Sequence, residues 1–125
     1  MAEEHGVDLV LLFGSVATGR ARHESDLDLA VRFSGSVPTM TEVSRLQIAL
    51  QELFPERQVD LAILNRADPL FLKQITDACE LLYGSERGLA ELKMVAFRRY
   101  QDHRRYLVME RDYVRRFLAR RGVAP

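Results

Sequence analysis

The chain has 125 residues, with 18 Lys and Arg against 18 Asp and Glu, 47% hydrophobic and 29% charged residues. That length and composition give one compact domain with a buried core and exclude a multidomain or disordered chain. Cys79 is the lone cysteine, which excludes a disulfide framework, and its neighbours Ala78 and Leu81 suit a buried, inert thiol.

The opening residues, MAEEHGVDLVLLFG, carry acid where a signal peptide carries base, and the apolar run is too short to span a bilayer, so a cytoplasmic protein is expected. That run, Val7 to Phe13, ends at Gly14 and reads as a buried strand; Leu27 to Phe33 reads the same way. The two flank a glycine-bearing loop. Between Met40 and Phe54, Val43, Leu46, Ala49, Leu50 and Leu53 recur at helical spacing, with Thr39 or Thr41 as N-cap and Pro55 beyond the end. Gln58 to Leu64 is a short strand. Pro69 to Ala78 is a helix with Asp68 as cap and proline in its first position, and Leu81 to Tyr83 is a brief strand before Gly84. The order is βαβαβαβα, without internal repeats. Residues 1–85 form the body of the domain and residues 86–125 a helical extension of the same domain.

That extension, Glu86 to Arg121, lacks proline and reads as one long helix or two in tandem. Unbroken, it would reach about 54 Å at about 1.5 Å per residue, against a radius of gyration near 14 Å for a domain of this size. It must therefore bend, with a break near Asp102 and His103, or project. Leu89, Leu92, Ala96, Tyr100, Leu107, Val114 and Leu118 lie near one face. A projecting helix leaves a second row, Phe97, Met109, Tyr113 and Phe117, without intrachain cover, which implies a partner or a second copy. The neutral total hides an asymmetry: residues 1–85 hold 7 basic and 13 acidic residues, residues 86–125 hold 11 and 5. The arginines interleaved with Tyr100, Tyr106 and Tyr113 could face RNA or a protein partner; helical apolar spacing favours the protein.

Three acids carry the chemistry. In a strand successive side chains alternate, so Asp26, Asp28, Ala30 and Arg32 share one side while Leu27, Leu29, Val31 and Phe33 share the core side. Asp60 and Ala62 likewise oppose Val59, Leu61 and Ile63, so pairing of the two strands would bring the acids together. Carboxylates about 4 Å apart repel by about 4 kcal/mol per pair at an effective dielectric of 20, a conflict that a divalent cation resolves. Oxygen ligands alone favour Mg²⁺ or Mn²⁺ over zinc, and substrate phosphates usually complete a Mg²⁺ shell. Gly14 lets backbone N–H groups approach such phosphates, and Ser15 adds a hydroxyl. The loop is neither a Walker A nor a G-x-G-x-x-G fingerprint. A phosphoryl or nucleotidyl transfer site is expected.

Gly14-Ser15-Val16-Ala17-Thr18-Gly19, followed by Ser25-Asp26-Leu27-Asp28-Leu29-Ala30-Val31, resembles the G-S-x10-D-x-D signature of the polymerase-β-like nucleotidyltransferases. The small size and third acid resemble the minimal nucleotidyltransferase (MNT) branch, which acts as antitoxin beside HEPN ribonuclease toxins. The resemblance covers roughly residues 7 to 84. It implies an α/β (α+β) fold with a mixed sheet flanked by helices, two metal ions, and ATP as donor of AMP to a tyrosine on the cognate HEPN toxin, with release of pyrophosphate. Asp26 and Asp28 would then bridge the metals, Asp60 would serve the ion that activates the acceptor hydroxyl, and Gly14 and Ser15 would bind the β and γ phosphates. The family often has arginine where Thr18 stands; Arg20 or Arg22 could supply that contact, and His23 could touch nucleotide or acceptor. Tyr83-Gly84 resembles the family's closing strand. Two alternatives remain: transfer to a small hydroxyl compound such as an aminoglycoside, or a non-catalytic module that masks its partner. Nucleic acid is not expected as substrate, nor a membrane as partner, and the assembly is a hetero-oligomer or a homodimer.

Overall fold

A computed structural model describes residues 1–19 and 26–122. Arg20, Arg22 and Ser25, to which the resemblance gave possible or signature roles, and His23, given one by its place in the loop, lie outside the described residues.

Among the described residues one mixed sheet is formed by β1 (Val7–Phe13), β2 (Leu27–Phe33), β3 (Val59–Ile63) and β4 (Glu80–Tyr83), in the order β3-β2-β1-β4. β1 runs antiparallel to both β2 and β4, whereas β3 lies parallel to β2. The helices are α1 (Gly14–Ala17), α2 (Met40–Leu53), α3 (Pro69–Asp77) and α4 (Glu86–Arg120). The expected strands and helices are present, with ends within a residue or two; α1, a single turn, is the start of the loop itself.

Each face of the sheet has its own core. On the first, Leu27, Leu29, Val31, Phe33, Val59 and Ile63 pack beneath Leu46 and Leu50 of α2. On the second, Leu9, Leu11 and Ala30 pack beneath Leu72 and Ile75 of α3 and Leu92 and Ala96 of α4. The side that Ala30 shares with Asp28 is therefore not a solvated face. Ala30 is fully buried, and only the end of that row, at Asp28, opens outward. Alternation separated the two faces correctly, but it could not show that helices cover both. A shift of register between Val7 and Leu9 lets Val7 join the first core although Leu9 and Leu11 face the second.

The edge strand is pinned at both ends by side-chain amides. Gln51 Oε1 accepts from the Val59 N–H at 2.9 Å, and Gln47 Nε2 donates to the Val59 carbonyl at 2.8 Å. Gln51 Nε2 also donates to the Arg57 carbonyl at 2.7 Å. Beyond β3, Asn65 imitates a strand partner: its Oδ1 accepts from the Phe33 N–H at 2.8 Å and its Nδ2 donates to the Phe33 carbonyl at 2.9 Å. α2 is placed by a capping box in which Thr39 and Glu42 satisfy each other's backbone N–H groups, so Thr39 rather than Thr41 is the cap. Asp68 caps α3 and Ser85 caps α4.

α4 is unbroken through Asp102 and His103, and at about 1.5 Å per residue its 35 residues extend about 52 Å. Gly88, Leu92 and Ala96 are buried, and nothing described beyond Ala96 is. Leu107 and Val114, which continue the core-facing row, are exposed, as are Phe97, Met109, Tyr113 and Phe117. Among the described residues no helix is long and apolar enough to cross a membrane.

Because Val59 is buried, removal of the Gln51 amide leaves its N–H without a partner. Gln51→Leu is expected to lower unfolding stability by about 1–3 kcal/mol, read as a reduced urea midpoint with an unchanged denaturant slope.

Candidate active site

At the opening end of the sheet β1 gives way to α1, β2 begins, and β3 runs alongside. The parallel register pairs Leu27 with Val59, Asp28 with Asp60 and Leu29 with Leu61, so Asp28 and Asp60 stand side by side on one face. Phe13 is opposite Asp28 across the other ladder. A row of Phe13, Asp28 and Asp60 thus crosses three adjacent strands. Asp26 precedes β2 and is exposed.

The acids feel one another. Partial burial pushes the Asp28 carboxyl above its ordinary value, and the charges of Asp60 and then Asp26 push it in the same direction. Among the described residues no three His, Cys, Asp or Glu side chains are gathered closely enough to enclose a metal ion. Of the three acids expected to converge, Asp28 and Asp60 are brought side by side, while Asp26 is not gathered with them but stands near enough to act on Asp28 through its charge.

Gly14 is required here for two reasons. Its φ is +75°, a conformation that residues with a Cβ rarely adopt, and a Cβ built there would point into the Asp28 carboxylate, 2.9 Å from Cγ. The missing side chain therefore makes room for Asp28, a role the sequence did not reveal beside that of phosphate approach. Ser15 follows in the same turn, and Thr18 Oγ1 donates to the Gly14 carbonyl at 3.2 Å, closing α1.

Phe13, Asp28, Asp60, Leu61, Ala62 and Phe71 line a cleft of about 370 Å³. Phe71 meets Phe13 edge to face, with ring centroids 6.0 Å apart and planes at 76°. Its backbone is held by the Asp68 cap, whose Oδ1 accepts from the Phe71 N–H at 2.9 Å. Neither aromatic was singled out from the sequence. Phe13 has the parity of Leu9 and Leu11, a signal that could have placed it on the acids' side, but no local pattern brings Phe71 there. A larger cleft, about 750 Å³ and lined by Glu3, Asp8, Ser34 and Tyr83 among others, lies at the opposite end of β1, where Asp8 is paired with Arg32 at 2.8 Å. Tyr83 and Gly84 take part in closing the sheet there: a Cβ on Gly84 would come within 2.7 Å of the Asp8 carbonyl. Cys79 is half-buried and burial raises its thiol against the lowering pull of Lys93, which disfavours the reactive thiolate.

The sequence model of the family described as "Polymerase beta, Nucleotidyltransferase" matches residues 1–88. A protein of Methanocaldococcus jannaschii, provisionally named a protein adenylyltransferase, is 32% identical over 72 residues, 58% of this chain and 75% of that protein. A chain of a toxin–antitoxin crystal structure with AMP-PNP superposes with a TM-score of 0.76 at 22% identity, over 90% of this chain and 91% of that one. A chain of the Shewanella oneidensis complex between a tri-AMPylated HEPN toxin and an MNT antitoxin superposes with a TM-score of 0.69 at 20% identity, over 90% and 87%. These structures share the fold.

Two predictions follow from the geometry. Gly14→Ala should cost about 1–3 kcal/mol of stability through backbone strain and displace the Asp28 carboxylate; a urea titration reads the first and a crystal structure of the variant the second. Asp28→Asn should raise metal-free stability near neutral pH. The raised pKa means that the folded state holds the ionised Asp28 unfavourably, a cost present above the folded pKa and relieved as pH falls toward the unfolded value. The advantage of the variant should accordingly shrink on acidification, as denaturant melts in EDTA at pH 7 and below pH 5 would report.

Proposed function

The chain belongs to the polymerase beta nucleotidyltransferase family, and from that membership and its acidic cleft we propose that it moves AMP from ATP onto a tyrosine of a cognate HEPN ribonuclease toxin, acting as that toxin's antitoxin. The observation that carries the reading is the parallel register that sets Asp28 beside Asp60, with Gly14 folded against Asp28. The adenylyltransferase name of the Methanocaldococcus jannaschii relative and the AMPylated toxin in the Shewanella oneidensis complex support the choice of AMP and of a protein acceptor. ATP as donor fits a cytoplasmic setting.

The donor set fits a hard divalent cation: the cleft offers carboxylate oxygens, and their mutual repulsion already disfavours the ionised form of Asp28. Asp26, Asp28 and Asp60 would hold two Mg²⁺ ions, or Mn²⁺, with substrate phosphates completing the shell. When bound, the ions would favour ionisation of the acceptor hydroxyl and neutralise the leaving pyrophosphate. Gly14 and Ser15 are assigned to the β and γ phosphates, since the glycine admits the chain closely and the turn offers its N–H groups. Asp60, on the edge strand, is assigned to the acceptor side. Residues 1–85 supply this chemistry, and residues 86–125 extend the same domain.

The outer part of α4 is proposed as the toxin-docking surface. Residues 97–122 hold 9 basic and 3 acidic residues, and the segment exposes Phe97, Tyr106, Leu107, Met109, Tyr113 and Phe117. Positive charge would speed encounter with an acidic surface, while the aromatics would hold the complex.

Label transfer from [α-³²P]ATP to the toxin, with Mg²⁺ and mapping of the modified residue, tests the reading. Asp26→Asn and Asp28→Asn should each lower transfer by about a hundred- to a thousandfold, the value of several kcal/mol of charge stabilisation, with folding retained. Asp60→Asn should depress turnover more than ATP binding. Deletion of residues 104–125 should weaken toxin binding strongly while leaving ATP binding intact, measured by calorimetry with each ligand. Wild-type activity in the Asp28 variant, or undiminished toxin binding by the truncated chain, would remove the corresponding assignment.

A further inference from the structure

We infer that the arginine-rich side of the projecting segment of α4 binds single-stranded RNA. The inference goes beyond the docking role proposed above, which it confines to the apolar row, and it does not depend on the chemistry of the cleft.

Its first ground is the division of the helix around its axis. Residues on a helix advance by about 100° each, so Leu107, Val114 and Phe117 continue the side that Leu92 and Ala96 bury in the second core. Arg98, Arg104, Arg105, Arg111, Arg115 and Arg116 fall away from that row, on the other side of the helix, where Asp102 and Asp112 offset only part of their charge. All six arginines are exposed, and none makes an ion pair with a described residue. From Arg98 to Arg116 they extend over about 27 Å at about 1.5 Å per residue. Unpaired positive charge of that length is complementary to a phosphate backbone, whose condensed counterions it releases on binding. The choice of cation points the same way, since residues 97–122 hold nine arginines and no lysine. Either would keep a helix solvated, whereas the planar guanidinium bonds phosphate oxygens in pairs and stacks on bases.

The second ground is what lies between the arginines. Gln101, Arg104, Arg105, Val108 and Met109 line a shallow cavity of about 330 Å³. Phe97, one turn before Gln101 on the same side, is 54% exposed. An unpaired base stacks on a free aromatic ring or lies on an apolar floor while its phosphates reach the guanidinium groups on either side. The bases of a duplex are already stacked on one another and do not use the ring, and a carboxylate side chain of an acidic protein has no planar base to set against it. The Gln101 amide adds a donor and an acceptor for a base edge.

The test is fluorescence anisotropy of a short, labelled, unstructured RNA titrated with the full chain, beside a labelled DNA duplex of equal length and labelled poly-glutamate. RNA is expected to bind tightest, with log Kobs falling against log salt at a slope of about −4 for six guanidinium contacts. Arg104→Ala and Arg105→Ala should each flatten that slope by about 0.7. Arg99→Ala removes the same charge from the apolar side, beyond the reach of the bound backbone in physiological salt, and should leave the slope unchanged. Phe97→Ala should weaken RNA binding about fivefold or more with no change of slope, a split that separates base stacking from diffuse charge. A thermal melt of each variant confirms folding, and the comparison of RNA, duplex and poly-glutamate needs no variant. Duplex or poly-glutamate bound as tightly as RNA, an Arg99→Ala effect equal to those at Arg104 and Arg105, unchanged affinity in Phe97→Ala, or no RNA binding at low salt would each overturn the inference. None of these results bears on nucleotidyl transfer, which the labelled ATP assay reads separately.

Discussion

The parallel pairing of β2 with β3 is the constraint on which the site depends. Its register places Asp28 beside Asp60, and the apolar residues around them hold that register. A slip of one residue would turn Asp60 toward the first core and Val59 and Ile63 away from it. A slip of two toward the interior would set Asp60 against Ala30, which is fully buried under α3 and α4. Both would bury a carboxylate without a partner, among the most unfavourable substitutions of environment that a fold can make. Gln47 and Gln51 of α2, at the start of β3, and Asn65 beyond its end fix the same register through side-chain hydrogen bonds to the Val59 and Phe33 backbone.

The acids are thus held by a scaffold that does not itself gain from their charge. Burial and two neighbouring carboxylates raise Asp28, so the metal-free fold carries an unfavourable interaction at neutral pH. The stability that offsets this interaction comes from the two cores. Gly14 belongs to the same compromise: its left-handed backbone and absent side chain leave Asp28 its space, and α1 is thereby brought against the carboxylate rather than past it.

α4 divides by burial without dividing in structure. Its first three turns complete the second core through Leu92 and Ala96, and Lys73 of α3 lies over the Tyr100 ring at 5.4 Å. The helix continues with the same apolar row at Leu107 and Val114, which no described residue covers. The charge asymmetry follows this division: the acidic body holds the Asp28–Asp60 cleft, and the basic excess is concentrated in the projecting segment. A symmetric pairing of two such segments would place like charge beside like charge, so the surface suits a different, acidic partner better than a second copy.

Much of this was legible before any coordinates. Apolar runs closed by glycine marked β1 and β2, Asp68 and Pro69 marked the start of α3, and the G-S and D-x-D spacing identified the chemistry, because each is a local pattern of periodicity, capping or side-chain type. Alternation also put Asp28 and Ala30 on one side of β2, yet without revealing the second core that covers Ala30, and Asp26, which alternation set beside them, precedes the strand. Whether α4 breaks near His103 could not be read either, since its residues are compatible with a helix in both cases. The sequence by itself determined which residues could form strands, helices and a carboxylate site. Only the tertiary structure decided that β3 lies parallel to β2 with Asp60 at Asp28, that Gly14 yields its side-chain space to a carboxylate, and that Phe71 of α3 meets Phe13 of β1 in the cleft. Those three outcomes depend on contacts between segments distant in sequence, whose energies arise from burial and register and leave no local pattern.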